Sequence, residues 1–181
     1  MLRPVAFMSP LLLATPAMAQ DWIVDHDASS VGFRTEAFGG SVEGGFSEWQ
    51  AQITLDPDNL DRARISATVE TASGDTGNGE INRSMLSTSG LAPETHAEAR
   101  FVSEDIRVTQ DGYAAHGTLT IKDTARDAVL PFTLDIAEGR AVADASLEIA
   151  RTDFGVGRSN WGDTAARVTI MIHIEADAAA Q

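Results

Sequence analysis

Four histidines, His26, His96, His116 and His173, come first, because imidazole suits both metal ligation and proton transfer near neutral pH. No two of them are spaced His-x-His or His-x-x-x-His, and the chain has no cysteine to complete a thiolate set. The spacing therefore does not describe a metal site. Nucleophilic chemistry would need a Gly-x-Ser-x-Gly turn, or carboxylates in contrasting environments, and no such turn is present. Asp153-Phe154-Gly155 matches a kinase triplet, but in an exported chain this short, with no other kinase element, the match is chance. Asp153 and His116 are what a hydrolase reading would have to use. His116, in the run Ala115 to Leu119, reads better as outward-facing or as capping a hydrogen bond. Arg151 and Asp153 flank Thr152 and are expected on one face of a strand. They could meet a polar ligand head at the mouth of the fold. The simpler account is a structural ion pair fixing the hairpin before Gly155 and Gly157, since such pairs are common.

The elements that would position these residues are strands. Val31, Phe33 and Thr35 alternate with small or polar neighbours, as do Trp49, Ala51, Ile53 and Leu55, and Ile65, Ala67, Val69 and Thr71. The pattern returns at Leu119 and Ile121, then Leu130 to Ile136, Ala143 to Ile149, and Val168 to Ile174. Period-two alternation over four to eight residues marks half-buried strands. With the segment from Phe101 to Val108, about eight are expected. Gly39-Gly40, Gly44-Gly45, Asp56-Pro57-Asp58-Asn59, Asp111-Gly112 and Glu138-Gly139 supply the turns. From Ser73 to Glu98 the alternation stops, and Met85, Leu86 and Leu91 are sparse apolar points in a polar stretch. One or two short helices are expected there, one of them starting at Pro93. The segment is either a lid or a plain crossover.

Eight antiparallel strands suit a sandwich or a closed barrel. Closure removes exposed edges, which a chain without disulfides needs, and an eight-stranded barrel has room for one small ligand. Ala67, Ala115, Gly117, Ala143 and Ala145 are small residues that could leave that space. Phe33, Phe101 and Phe132 are core or lumen lining, and Trp161 either closes one end or plugs the core.

Arg3, a short apolar stretch and Ala17-Met18-Ala19 predict a signal peptide cleaved after Ala19, leaving residues 20–181 as one domain. Pro4, Pro10 and Pro16 interrupt the stretch well short of a membrane span. Without Arg3 the charge is -15, 12 basic against 27 acidic residues. That balance argues against nucleic acid and anionic membrane surfaces. The remaining chain has no apolar run long enough to span a membrane and is expected to be soluble.

Several stretches together resemble the YceI-like family. They are Trp22 to Asp25 with Ser29 to Phe33, Phe38 to Phe46, Ala97 to Ser103, Tyr113 to Phe132, and Arg151 to Gly157 with Trp161, Asp163 and Thr164. The resemblance implies an all-β fold, a lipocalin-like antiparallel eight-stranded barrel with one or two short helices, in the periplasm. It implies an isoprenoid lipid or isoprenoid quinone in the lumen, no catalytic activity, and no metal or other cofactor. The Arg151 to Thr164 segment is similar to members found with cytochrome b561-type membrane proteins, which makes such a protein a candidate partner; a homodimer is left open. The residues expected to meet the ligand are Phe33, Val69, Leu86 and Phe101 in the first half. In the second half they are Leu119, Ile121, Phe132, Leu134, Leu147 and Ile149, then Arg151, Asp153, Trp161, Ile170 and Ile172. Asn82-Arg83 and Ser89 to Ala92 depart from the family's usual residues and fall in the long loop, where they bear on which ligand is held.

Overall fold

The computed structural model describes residues 20–158 and 161–180. The expected signal segment, including the cleavage site at Ala19, lies outside the described residues, as do Ser159 and Asn160. The alternating stretches are strands. In chain order they are β1 (Asp21–Val24), β2 (Ser30–Ala37), β3 (Gly40–Phe46), β4 (Trp49–Thr54), β5 (Arg64–Glu70), β6 (Gly74–Asp75), β7 (Glu98–Thr109), β8 (Gly112–Ile121), β9 (Thr124–Ala137), β10 (Arg140–Ala150) and β11 (Thr164–Ala178). They form one sheet in the order β1-β4-β5-β7-β8-β9-β10-β11-β2-β3-β6, and β1 also pairs with β11.

The register reduces these eleven segments to eight strands. β2 pairs with β3 from Ala37↔Gly40 onward, and β1 continues the same antiparallel ladder on β4 at Trp22↔Ile53. β1–β2 and β3–β4 are therefore two bent strands of one hairpin, and β5–β6 is a third, lying on β4 and β3. β11 runs along both β2, at Ile170↔Phe33, and β1, at Trp22↔Ala178. Each strand pairs with its predecessor and the last closes on the first. This is the expected closed eight-stranded antiparallel barrel, in up-and-down order.

Three two-residue hairpin turns hold both central residues at positive φ: Phe38-Gly39 at 54° and 77°, Lys122-Asp123 at 49° and 58°, and Glu138-Gly139 at 53° and 82°. That is the turn whose twist matches the flanking strands. β7 carries a bulge between Ser103 and Asp105. There a Cβ on Gly117 would lie 2.2 Å from the Val102 carbonyl oxygen, so only glycine lets β8 approach.

One end of the barrel is a packed floor. Leu55, Ala63 and Ile106 are almost wholly buried there, and the Trp22 indole donates to the Leu55 carbonyl at 2.9 Å. Segment 76–97 crosses the other end. It holds a single helix, α1 (Gly79–Met85), whose first turn is capped by the Asn78 side chain accepting from the Glu80 and Ile81 amides. The stretch after Pro93 is a turn, not the second helix expected from its composition. Thr71, buried just after β5, donates to the His96 or Ala97 carbonyl where the chain re-enters the barrel wall.

Candidate functional site

Inward-facing side chains of every long strand line a continuous cavity of about 280 Å³ inside the barrel. On β11 the lining runs from Thr164 to Ala176. At about 3.3 Å per residue and a strand tilt of roughly 40°, that spans about 30 Å of barrel axis. The volume sits at the lower edge of the ~300–1,000 Å³ of small-molecule sites. Stretched over that height it is a slot one chain wide. It stays open because alanines face each other across it: Ala51, Ala67 and Ala99 on β4, β5 and β7, and Ala143 and Ala145 on β10. Ala115 and Gly117, also read as space-making, do not line it; Ala115 is fully buried in the packed cluster with Ile106 and Leu130.

Phe33, Val69, Phe101, Leu119, Ile121, Phe132 and Leu134 line the cavity, as do Leu147, Ile149, Arg151, Trp161, Ile170 and Ile172. Leu86 does not. It is the C-terminal cap of α1, and the preceding residue, Met85, takes the lumen-facing place. Successive helical residues point about 100° apart, so only one of the two can face in. Asp153 also stays outside. Residues Arg151–Phe154 form a 3₁₀ turn and not a strand, so Arg151 and Asp153 do not share a face: Arg151 is buried and Asp153 exposed. Neither the head-group pair nor the structural ion pair expected of them is formed. His116, on β8, pairs in register with Asp105 and Val129 and faces away from the lumen.

Arg151 instead clamps the loop that follows it. Its Nε donates to the Ala165 carbonyl at 2.9 Å, Nη1 to Val156 at 2.9 Å and Gly157 at 2.7 Å, and Nη2 to Thr164 at 2.8 Å. Four of its five N–H donors thus end on backbone carbonyls. The Trp161 ring lies 5.0 Å from the guanidinium. Burial pushes the Arg151 pKa down, because an apolar surround disfavours the charged form. With four of its donors committed, it offers the lumen little hydrogen-bonding capacity. Trp161 covers the lid end, not the middle of the core.

The lid is tied at several points. The Gly157 amide donates to the Ser89 carbonyl at 2.7 Å, and Lys122 Nζ to the Thr88 carbonyl at 3.0 Å. His96 Nδ1 lies 2.9 Å from Asp123 Oδ2 but makes no hydrogen bond to it. Asn82, one of the departures from the family pattern, accepts from the Thr76 amide and donates to Asp75, fixing α1 to β6.

A second cluster sits outside the barrel, over the seam. Arg140 contacts Glu175 at 2.7 Å, Asp25 at 3.2 Å and Asp177 at 3.2 Å, tying β10 and β11 to the break between β1 and β2. The hydrogen bond from Arg140 holds the Asp25 and Glu175 carboxyls below their ordinary range. His173 bonds Asp144 at 2.7 Å, and that bond raises its pKa. These residues stitch strands together on an exposed surface. Among the described residues no group of three or more His, Asp or Glu could hold a metal ion.

The fold and the lumen together define a hollow, lipocalin-like β-barrel with an apolar interior. The chain belongs to the YceI-like domain family, whose model matches residues 22–176. A UPF0312 protein of Serratia proteamaculans is 29% identical over 178 residues, covering 91% of this chain and 90% of that protein. Protein YceI of Escherichia coli O157:H7 is 25% identical over 181 residues, 94% of each. The crystal structure of Burkholderia cenocepacia BcnA is similar with a TM-score of 0.79 and 29% identity, over 84% of this chain and 98% of that one. A polyisoprenoid binding domain from Saccharophagus degradans shares the fold with a TM-score of 0.64 at 13% identity, over 89% of this chain and 99% of that one.

Proposed function

We propose that the protein is an exported carrier that holds the tail of one isoprenoid lipid or isoprenoid quinone along the barrel axis and does no chemistry on it. The observation that carries this reading is the slot itself, about 280 Å³ of apolar space kept open by alanines on facing walls. Each tail methylene moved from water into it is worth about 0.8 kcal/mol, so several isoprene units supply ample driving force even after ordering costs. A slot one chain wide favours a single linear tail over a two-chain phospholipid. The described polyisoprenoid binding of the Saccharophagus degradans domain supports the same ligand class. Because four of the five Arg151 donors are spent on carbonyls, a head group finds few hydrogen-bond donors in the lumen and belongs at the lid end or outside. The signal-like N-terminus supports export to the periplasm as part of this reading.

Docking on a cytochrome b561-type protein through the 151–157 segment is less well supported. Arg151, Phe154 and Val156 of that segment are buried in the protein's own lid, at 8%, 4% and 7% exposure.

The test is to purify the exported protein, extract it with organic solvent and identify the extract by mass spectrometry, then to measure uptake of a prenol by the emptied protein. A prenyl lipid in the extract and saturable uptake of one prenol per chain are expected. An empty extract together with no uptake would refute carriage.

A further inference from the structure

We propose that the β2–β3 hairpin tip at Phe38 is a membrane-contact point, by which the protein settles lid end down on an electrically neutral lipid bilayer. The inference rests on the carrier reading, because a tail insoluble in water must pass from a lipid phase into the lumen.

Phe38 is 74% exposed, more than any other large apolar side chain among the described residues. It also occupies a costly position. Both central residues of this turn type need positive φ, for which Asn-Gly is the unstrained choice, and a bulky side chain there is an outlier. The two matching turns place Lys122 and Glu138 at the equivalent position, so polar residues occupy it elsewhere in this barrel. At Phe38 the chain accepts backbone strain and leaves most of an aromatic side chain in water. Strain of this kind persists where it serves a function.

The position fits the role. Ala37 pairs with Thr164, and the Phe38 amide donates to the Asp163 carbonyl at 3.4 Å, beside Trp161 at the lid end. Thr35 and Phe33, farther along the same strand, already line the lumen. One strand therefore joins the exposed ring to the cavity. The surroundings also select the surface. Glu36 and Asp163 near the tip are exposed, Glu43 farther down the hairpin is paired with Arg34 at 2.7 Å, and the chain without Arg3 carries -15. Anionic lipid would repel this end, whereas a phosphatidylcholine surface accepts an aromatic ring without that penalty.

The test is flotation with phosphatidylcholine vesicles free of any isoprenoid, comparing the protein with F38N and F38W. Association of the wild-type protein is expected to fall at least about tenfold in F38N, to persist in F38W, and to weaken as phosphatidylglycerol is added. F38N should melt at a higher temperature, which shows that its loss is not unfolding. Equal flotation of F38N and wild type, as when the ring serves a protein partner instead, overturns the proposal, as does absence of wild-type flotation. A second arm delivers a short prenol from aqueous solution. F38N should take it up as the wild type does; failure of both in that arm removes the carrier reading, while the empty-vesicle result still judges the surface.

Discussion

Ala145 and Ala115 allow one chemical change to be made in a hollow place and in a full one. Ala145 lines the lumen, between Phe132 of β9 and Ile172 of β11 in register. Ala115 is 0% exposed inside the packed cluster and does not line the lumen. Ala→Leu adds three carbons at either site. At Ala145 those carbons enter open apolar space, where about 0.8 kcal/mol each gives roughly 2.4 kcal/mol gross. Measured cavity-filling gains are smaller, so A145L should stabilise the empty protein by ~0.5–2 kcal/mol. At Ala115 the carbons meet Ile106 and Leu130, and overpacking should cost ~1–3 kcal/mol. Urea unfolding of the empty proteins reads the contrast as midpoint shifts of opposite sign at constant slope. For the bound tail the same three carbons are competition: displacing about three methylenes forfeits roughly 2.4 kcal/mol, or about 60-fold in Kd. Prenol titration by fluorescence checks that figure. If A145L destabilises the protein as much as A115L, or leaves prenol affinity unchanged, the interior is filled by its own side chains and the reasoning fails.

Other perturbations reach the clamp and the seam. R151M should cost about 3–5 kcal/mol in urea unfolding, because four carbonyls, two in buried and two in part-buried bonds, lose their donor at once, and R151K should recover less than half of it, since an ammonium cannot span all four. His173 has a folded pKa raised above its ordinary 6.5 by the bond to Asp144. Its stabilising contribution is therefore full below about that pH and fades as pH rises through the folded value; H173N should flatten the slope of unfolding free energy against pH in that window. Asp25 and Glu175 have lowered values, so their contribution is present above their ordinary 3.8 and 4.5 and is lost as pH falls through the folded ones. R140Q should weaken that acid sensitivity. It should also speed amide exchange in β1, held by only short ladders on β4 and β11, while leaving β7 and β8 protected.

The strands were legible because one face of each is buried and the other wet, so the period of two is written into the residues. What escaped was written elsewhere. Lys122-Asp123 turns without glycine, so the start of β9 gave no composition signal. β1 is four residues long, too short to show a period. α1 did carry a signal, Asn78 as cap with Glu80 in the first turn, but its polar surroundings resemble a loop. Arg151 was misjudged for a different reason. Alternation across Thr152 puts Arg151 and Asp153 on one face only if the backbone is extended. The 3₁₀ turn that separates them is set by distant carbonyls, and no local spacing encodes those. Of the lumen, the period told which large side chains face inward, but not whether they line a cavity, and Trp22, Phe46 and Trp49, which line it, were not among the expected ligand contacts. The alanines could not, because Ala115 and Ala145 obey the same alternation and differ only in what lies across the barrel.

That difference bears on the chemistry of the ligand. A barrel without a cysteine has no covalent staple, so its rigidity comes from eight closed ladders and a packed floor. Closure lets the upper lumen stay empty without collapse, since no strand can move inward alone without breaking pairings on both sides. The lid end is then held by a cation whose donors all but one are spent on backbone carbonyls. Such a cation has one N–H donor left with which to recognise a head group. Selection falls instead on the width and length of the tail, for which the row from Ala143 to Leu147 facing Ala67 is the gauge. Lipids sharing a linear isoprenoid tail should therefore compete for this protein whether they end in an alcohol or a quinone ring, provided the head can remain at the lid. A direct competition titration between a prenol and a quinone of equal tail length should give affinities within about tenfold of each other, less than about 1.4 kcal/mol. A gap of about a thousandfold would require more polar recognition than the one N–H donor left on Arg151 can provide.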